Sequence, residues 1–310
     1  MRHLTILLLF LFLVSCSGCN QEALATNLLS MVDSKPPLLL EAETISDDTA
    51  TIRFDETIHS AAATSITNPV ANVTFSGPLV TITFSQALRL GETITLEGRV
   101  KDKRGNSTRF STRLWANNPD RAELRINEIT TRGTETQPDR VELLVTRSGN
   151  ISGIVVSDGP GGNRDNHCVL PSKHVWEGEY VVVQFQKGIS EAPYQSEELS
   201  GLKANNGCVM LSTTPFSNAK IMDAVAYNSM ETETQEGWGT QAVLERIKHL
   251  VEKGAWKSME KENAVDNRKS TSTRSLNRAQ EDTGEKQSDW YVCPQGEASF
   301  GGKNSLNRYP

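Results

Sequence analysis

The chain has 310 residues, of which 37% are apolar, 6% aromatic and 23% charged, with a formal net charge of −6. An acidic balance without a long stripe of lysine and arginine argues against nucleic acid as the main partner, because phosphate binding needs clustered cations. Length and composition are those of a globular protein of about two domains.

The first elements concern targeting. Met1-Arg2-His3 is a short basic start, and Leu4 to Val14 is apolar except for Thr5. That run is too short to span a bilayer, which takes about 20 residues. A basic start, a short apolar stretch and a small residue before a cut describe a secretory signal over residues 1–15. Leu13-Val14-Ser15-Cys16 resembles the lipobox of bacterial lipoproteins. The resemblance implies that Cys16 is acylated and becomes the new N-terminus. Ser17-Gly18-Cys19 offers a second frame with Cys19 as the lipid site, and a plain secretory signal is the alternative to both. Removing residues 1–15 takes Arg2 away and leaves a charge of −7 from the −6 of the whole chain. The expected location is the cell envelope, outside the cytoplasm, with the membrane reached through N-terminal acyl chains. Ser17 in place of the aspartate that retains some lipoproteins at the inner membrane favours the outer membrane.

Residues 16–37 read as a flexible tether, mostly small or polar and closed by Pro36-Pro37. A helical face of Leu24, Leu28, Leu29 and Val32 is the alternative there.

Residues 38–117 carry strand signals. Thr49–Phe54, Val73–Phe75, Leu79–Phe84 and Thr93–Val100 alternate polar and apolar residues, with turns at Gly77-Pro78, Gly91 and Gly105-Asn106. Five to seven short strands at this spacing predict an antiparallel sandwich. Leu90 to Asn106 resembles the closing half of bacterial Ig-like domains, often G-x-x-Y-x-L-x-V and then a D-x-x-G-N turn, with Ile94 at the tyrosine position. Lys101, Lys103 and Arg104 read as a solvated hairpin turn.

After the linker Asn117-Asn118-Pro119, a second domain is expected over 121–310. Ile126–Ile129, Asp139–Val145 and Asn150–Gly159 resemble the first three strands of the lamin tail domain, an Ig-like sandwich whose second and third strands are usually written D-W-I-E-L-x-N and D-L-S-G-W-x-L-S-D-G. His167–Pro171, Trp176–Val183, Leu202–Leu211, Ala219–Tyr227, Ser275–Arg278, Ser288–Tyr291 and Gly301–Asn304 continue that order over some 180 residues. Arg140 and Ile154 replace aromatic residues of the pattern. The fold class expected is therefore all-β, with two Ig-like antiparallel sandwiches in tandem and an α-helix inserted in the second.

The insertion covers about 238–272. Val243, Leu244, Ile247, Leu250, Val251 and Ala255 mark one apolar helical face, with Glu245, Arg246, Lys248, Glu252 and Lys253 opposite and Gly254 at the end. Val243, Ile247, Leu250 and Val251 either cover the sandwich or dock a partner. Lys257–Thr273 is charged and is expected to be mobile.

The acids of Ile126–Ile129 and Asp139–Val145 raise the question of chemistry. Val141, Leu143 and Val145 share one face, so Glu142 is expected on the other, solvated or paired with a neighbouring strand. For Glu128, a cross-strand contact or a backbone hydrogen bond competes with a carboxylate pair that works on protons or metal. The lamin tail resemblance implies no catalytic set. Asp158, Asn163 and Asp165 are an oxygen-rich turn and a candidate calcium site, although the EF-hand pattern is missing. His167, Cys168 and His174 fit no zinc spacing. No H-E-x-x-H, G-x-S-x-G or Walker motif occurs. Cys168 and Cys208 sit in strand-like segments and are a candidate disulfide in an oxidising compartment, with two buried thiols as the alternative.

These readings converge on a non-catalytic, envelope-anchored binding or scaffolding module that needs no cofactor and meets an envelope protein or extracellular ligand. Two other classes compete: a secreted hydrolase of nuclease or phosphoesterase type, or its accessory subunit, and a surface adhesin.

Overall fold

Between Leu39 and Trp115 alternating apolar residues on several strands bring two sheets face to face. We describe a computed structural model that defines residues 33–310 apart from 186–191, 197, 199, 217 and 282–286. The signal, Cys16, Cys19 and most of the 16–37 tether lie outside the described residues. The strands are β1 (Leu39–Thr44), β2 (Thr49–Phe54), β3 (Ser60–Ser65), β4 (Val70–Ser76), β5 (Leu79–Phe84), β6 (Thr93–Lys101) and β7 (Ser107–Trp115). One sheet runs β1-β2-β5-β4 and the other β3-β6-β7, all antiparallel. Ile52, Phe54, Ile82 and Phe84 from the first meet Ile94, Leu96, Val100 and Leu114 from the second. Burial of this kind contributes about 1.5–3 kcal/mol for each large apolar side chain. Gly77, at φ +56°, allows the tight turn from β4 to β5.

The second part has β8 (Glu123–Thr130), β9 (Arg140–Arg147), β10 (Gly149–Asn150), β11 (Val155–Ser157), β12 (His167–Val169), β13 (His174–Val175) and β14 (Tyr180–Gln184). It continues with β15 (Gly207–Ser212), β16 (Ile221–Asn228), helix α1 (Gln241–Glu252), β17 (Val265–Asp266), β18 (Leu276–Arg278) and β19 (Trp290–Val292). Its sheets run β14-β9-β8-β18-β19 and β12-β11-β15-β16-β17, with β10-β13 as a small separate pair. Only the short β16–β17 pairing is parallel among the described strands. Ile126, Ile129, Val141 and Leu143 of one sheet share a core with Val156, Val209, Leu211 and Val225 of the other. The chain is thus mostly β, antiparallel and sandwich-like.

Helix α1 adds its apolar face to that second core. Val243, Leu244, Ile247 and Leu250 are buried in it, and Val251 packs against it from the edge. The Thr240 hydroxyl accepts from the Val243 N–H at 3.3 Å and caps the start of the helix. Gly254, at φ +69°, turns the chain away at its end. The docking reading of Val243, Ile247, Leu250 and Val251 is therefore corrected: the sandwich itself covers this face. The expectation of a mobile 257–273 is corrected as well. Ala264 and Val265 are buried, β17 extends the sheet beside β16, and the buried Trp238 indole donates to the Met259 carbonyl at 2.8 Å.

Candidate functional site

In the β8–β9 pair, Ile126 lies opposite Leu143 and Glu128 opposite Glu142, so Asn127 is the extra residue of a β-bulge. Val141, Leu143 and Val145 face the core, which puts Glu142 and Glu128 side by side on the outer face, as the alternation requires. That face is not open to water. Residues 299–304 fold back over it, and both glutamates are 0% exposed. Solvation of Glu142 is therefore corrected, because a segment more than 150 residues away in sequence covers it.

The covering segment is held by the acids it buries. Ser299 donates its N–H to Glu128 at 2.9 Å and its hydroxyl at 2.8 Å, and the Ser275 hydroxyl also donates to Glu128. Gly301 donates its N–H to one oxygen of Glu142, while the Asn127 amide donates to the other at 2.7 Å. Asn304 pairs with the Asn127 side chain and donates to the carbonyls of Asn127 and Arg278, at 3.1 and 2.9 Å. The Arg140 guanidinium lies 4.0 Å over the Phe300 ring. Asp139 works in the same way on other loops, accepting from Gly133 N–H at 2.6 Å and Leu202 N–H at 2.8 Å.

Burial shifts all three acids. Desolvation pushes Glu142 up to about 7, against the hydrogen bond from Asn127, and neighbouring Glu128 adds repulsion. Glu128 is also raised by burial, opposed by the bonds from Ser275 and Ser299. Asp139 rises to about 6 for the same reason. A raised, paired acid is one signature of acid–base chemistry. Here the oxygens are occupied by donors of the chain itself, which is the arrangement of a structural latch.

The oxygen-rich turn has a different occupant from the one expected. Arg246, on α1 and 1% exposed, reaches into it. Its guanidinium contacts Asp158 at 3.0 Å, Asp165 at 3.2 Å and the Asn163 amide oxygen at 3.4 Å. The calcium candidate Asp158, Asn163 and Asp165 is corrected accordingly: an arginine side chain supplies the positive charge. Arg246 was expected on the polar side of the helix, yet it lies three residues after Val243 and four before Leu250, within the buried stripe. That spacing was visible in the sequence. A second buried pair, Arg278 with Asp223, joins β18 to β16, with a further contact of 3.2 Å from Nη2 to Oδ1. Asp223 and Arg278 each lie in a segment quoted above, Ala219–Tyr227 and Ser275–Arg278, but no spacing in the sequence pairs the two. In the first sandwich Asp33, Glu56 and Asp102 bring ligand atoms within 4.8 Å of one another. There Asp102 accepts from Arg104 N–H, Asn106 N–H and the Asn106 amide, and so serves its own turn.

The Cys168–Cys208 disulfide is corrected too. Strand β11 lies between β12 and β15, so the two cysteines belong to strands about 10 Å apart. Cys168 is level with Val156 and Leu211, whereas Cys208 lies three residues further along β15 and points to the opposite face. Disulfides need Cα atoms within about 7 Å. Neither cysteine is in a disulfide, both are buried, and desolvation pushes the thiol of Cys208 up to about 12.

A family profile described as a protein second domain, TP_1001_2nd, matches residues 122–204 and 194–292, the span of β8 to β19. A protein of Treponema pallidum (strain Nichols) described as uncharacterized is 26% identical over 206 residues, 57% of this chain and 51% of its own length. The chain thus spans about half the length of that relative. Among solved structures, the N-terminal part of the bacterial S-layer protein SbsC aligns with a TM-score of 0.26 and 13% identity, over 65% of this chain and 46% of that one.

Proposed function

The chain belongs to the family of the TP_1001-type second domain, whose profile covers more than half of its residues, and from that premise we propose that it is a non-catalytic binding or scaffolding module held on the cell envelope by a lipid at Cys16. In this reading residues 38–117 are a bacterial Ig-like sandwich and residues 121–310 a lamin-tail-like one. The segments quoted for the lamin tail resemblance supply strands of both sheets of the second sandwich, which supports the assignment. The observation that carries the function is the use made of the acids. Glu128 and Glu142 hold residues 299–304, Asp139 holds two loops, and Asp158 holds Arg246. The carboxylates that could have done chemistry hold the fold together, and a rigid sandwich on a tether is suited to presenting a surface.

The anchoring half is tested by Cys16→Ala. Expressed in a bacterial host and fed labelled palmitate, the wild type should fractionate with membranes and carry label. The variant should be soluble and unlabelled. Label retained in the variant moves the lipid to Cys19, and a wild type that is soluble and unlabelled removes the envelope assignment.

A further inference from the structure

We propose that the open end of the second sandwich is a binding cleft for a small ligand bearing an oxyanion, phosphate or carboxylate, seated against Arg121. A cavity of about 590 Å³ lies there, where the start of β8, the end of β9, β16 and β18 come together. That volume is within the range of small-ligand sites, roughly 300–1,000 Å³. Its walls carry Arg121, Arg125, Arg147, Lys220 and Arg278 against two acids, Glu123 and Asp223. In a chain of net charge −6 this is a local reversal of sign.

The two acids are already committed. Asp223 takes Arg278 on both oxygens and also accepts from the N–H groups of Ile126 and Ala224. Glu123 pairs with Arg147 at 3.0 Å, and Arg147 donates further to the Arg121 carbonyl at 2.8 Å. Arg121 differs from these. It is half-buried, and its Nε is shielded from solvent with no acceptor. A guanidinium N–H desolvated in this way wants an oxygen partner, and its planar fork matches carboxylate or phosphate. Desolvation lowers the Arg121 pKa, which is the electrostatic sign of a cation held away from water. The backbone around it is fixed: Arg121 bridges Asn150, and the Ala122 N–H donates to the Asn150 carbonyl at 3.0 Å. The donor is therefore positioned before any ligand arrives. Lys220 lies exposed on the same cavity as a second, mobile charge. A neighbouring cavity of about 200 Å³ also includes Arg121 and Lys220, and the buried Asn118 beside it has an amide oxygen without a donor.

The proposal rests on reading the chain as a binding module. The full chain, solubilised in detergent, is titrated by calorimetry with inorganic phosphate and separately with citrate, at constant ionic strength. We expect saturable binding of at least one, weakened about tenfold or more by Arg121→Gln and severalfold by Lys220→Gln. Lys103→Gln, in the distant hairpin of the first sandwich, should leave it unchanged. Phosphate alone assigns a phosphorylated ligand, and citrate alone a carboxylate-bearing one. Melting temperatures confirm that each variant is folded, and exposed Lys220 keeps the test open if Arg121→Gln is not. Absence of saturable binding to both anions, or binding indifferent to both substitutions, overturns the site while leaving the module reading in place. Binding accompanied by turnover of a phosphate monoester keeps the site and overturns the non-catalytic reading.

Discussion

At Glu142, burial and hydrogen bonding pull in opposite directions. Burial holds the carboxyl near pH 7 when folded, against 4.5 when exposed, a difference of about 3 kcal/mol for the charged form. Below pH 4.5 both states are protonated and the folded chain carries no penalty from this group. Between 4.5 and 7 the folded chain keeps a proton that the unfolded chain has released, so stability falls as pH rises, and the loss is complete above 7. Asp139, shifted from 3.8 to about 6, acts in the same sense. Asp165 acts in the opposite sense, because its bond from Lys203 lowers its pKa and its contribution disappears in stronger acid. The melting temperature should therefore rise as the pH falls from 8 to about 4 and decline only in stronger acid. Glu142→Gln should flatten the rise, and an undiminished slope in that variant would assign the pH dependence to other groups. The outward face of Glu142 was legible from the alternation of Val141, Leu143 and Val145. Its burial was not, because local periodicity carries no information about a segment that returns from residue 299.

Among the elements, β2, β5 and β6 were legible because each buries alternate residues, whereas β1, β3 and β7 were not picked out, and β3, with Ala61, Ala62 and Ala63 in a row, carries no alternation to read. The helix was legible from its 3.6-residue period, but a period does not say what covers the apolar face. Disulfide pairing failed for a topological reason: β11 separates two strands that the sequence left unordered. Arg246 is where a single side chain decides how the helix docks, since it carries the charge that Asp158 faces in the core. Arg246→Met should cost about 3–5 kcal/mol, because it leaves Asp158 buried without its partner. Adding Asp158→Asn should recover much of the loss, measured as the denaturant midpoint at constant slope. A loss in the double variant equal to the sum of the losses in Arg246→Met and Asp158→Asn alone would mean that the pair is not coupled.

On the scale of the whole molecule, two cores are built separately, one from residues 50–114 and one from 122–292, and the C-terminal residues then seal the outer face of the second. The basic cavity at Arg121 lies at one end of that second sandwich, while Glu128, Glu142 and Asp139 are covered by other segments of the chain. The competing reading makes the same acids the machinery of a nuclease or phosphoesterase. The direct measurement is turnover of phosphodiester and phosphomonoester substrates by the full chain in detergent, beside Glu128→Gln and Glu142→Gln, with melting temperatures taken on each. The binding-module reading predicts no turnover by any of the three. Turnover by the wild type that disappears in a folded glutamine variant would contradict it.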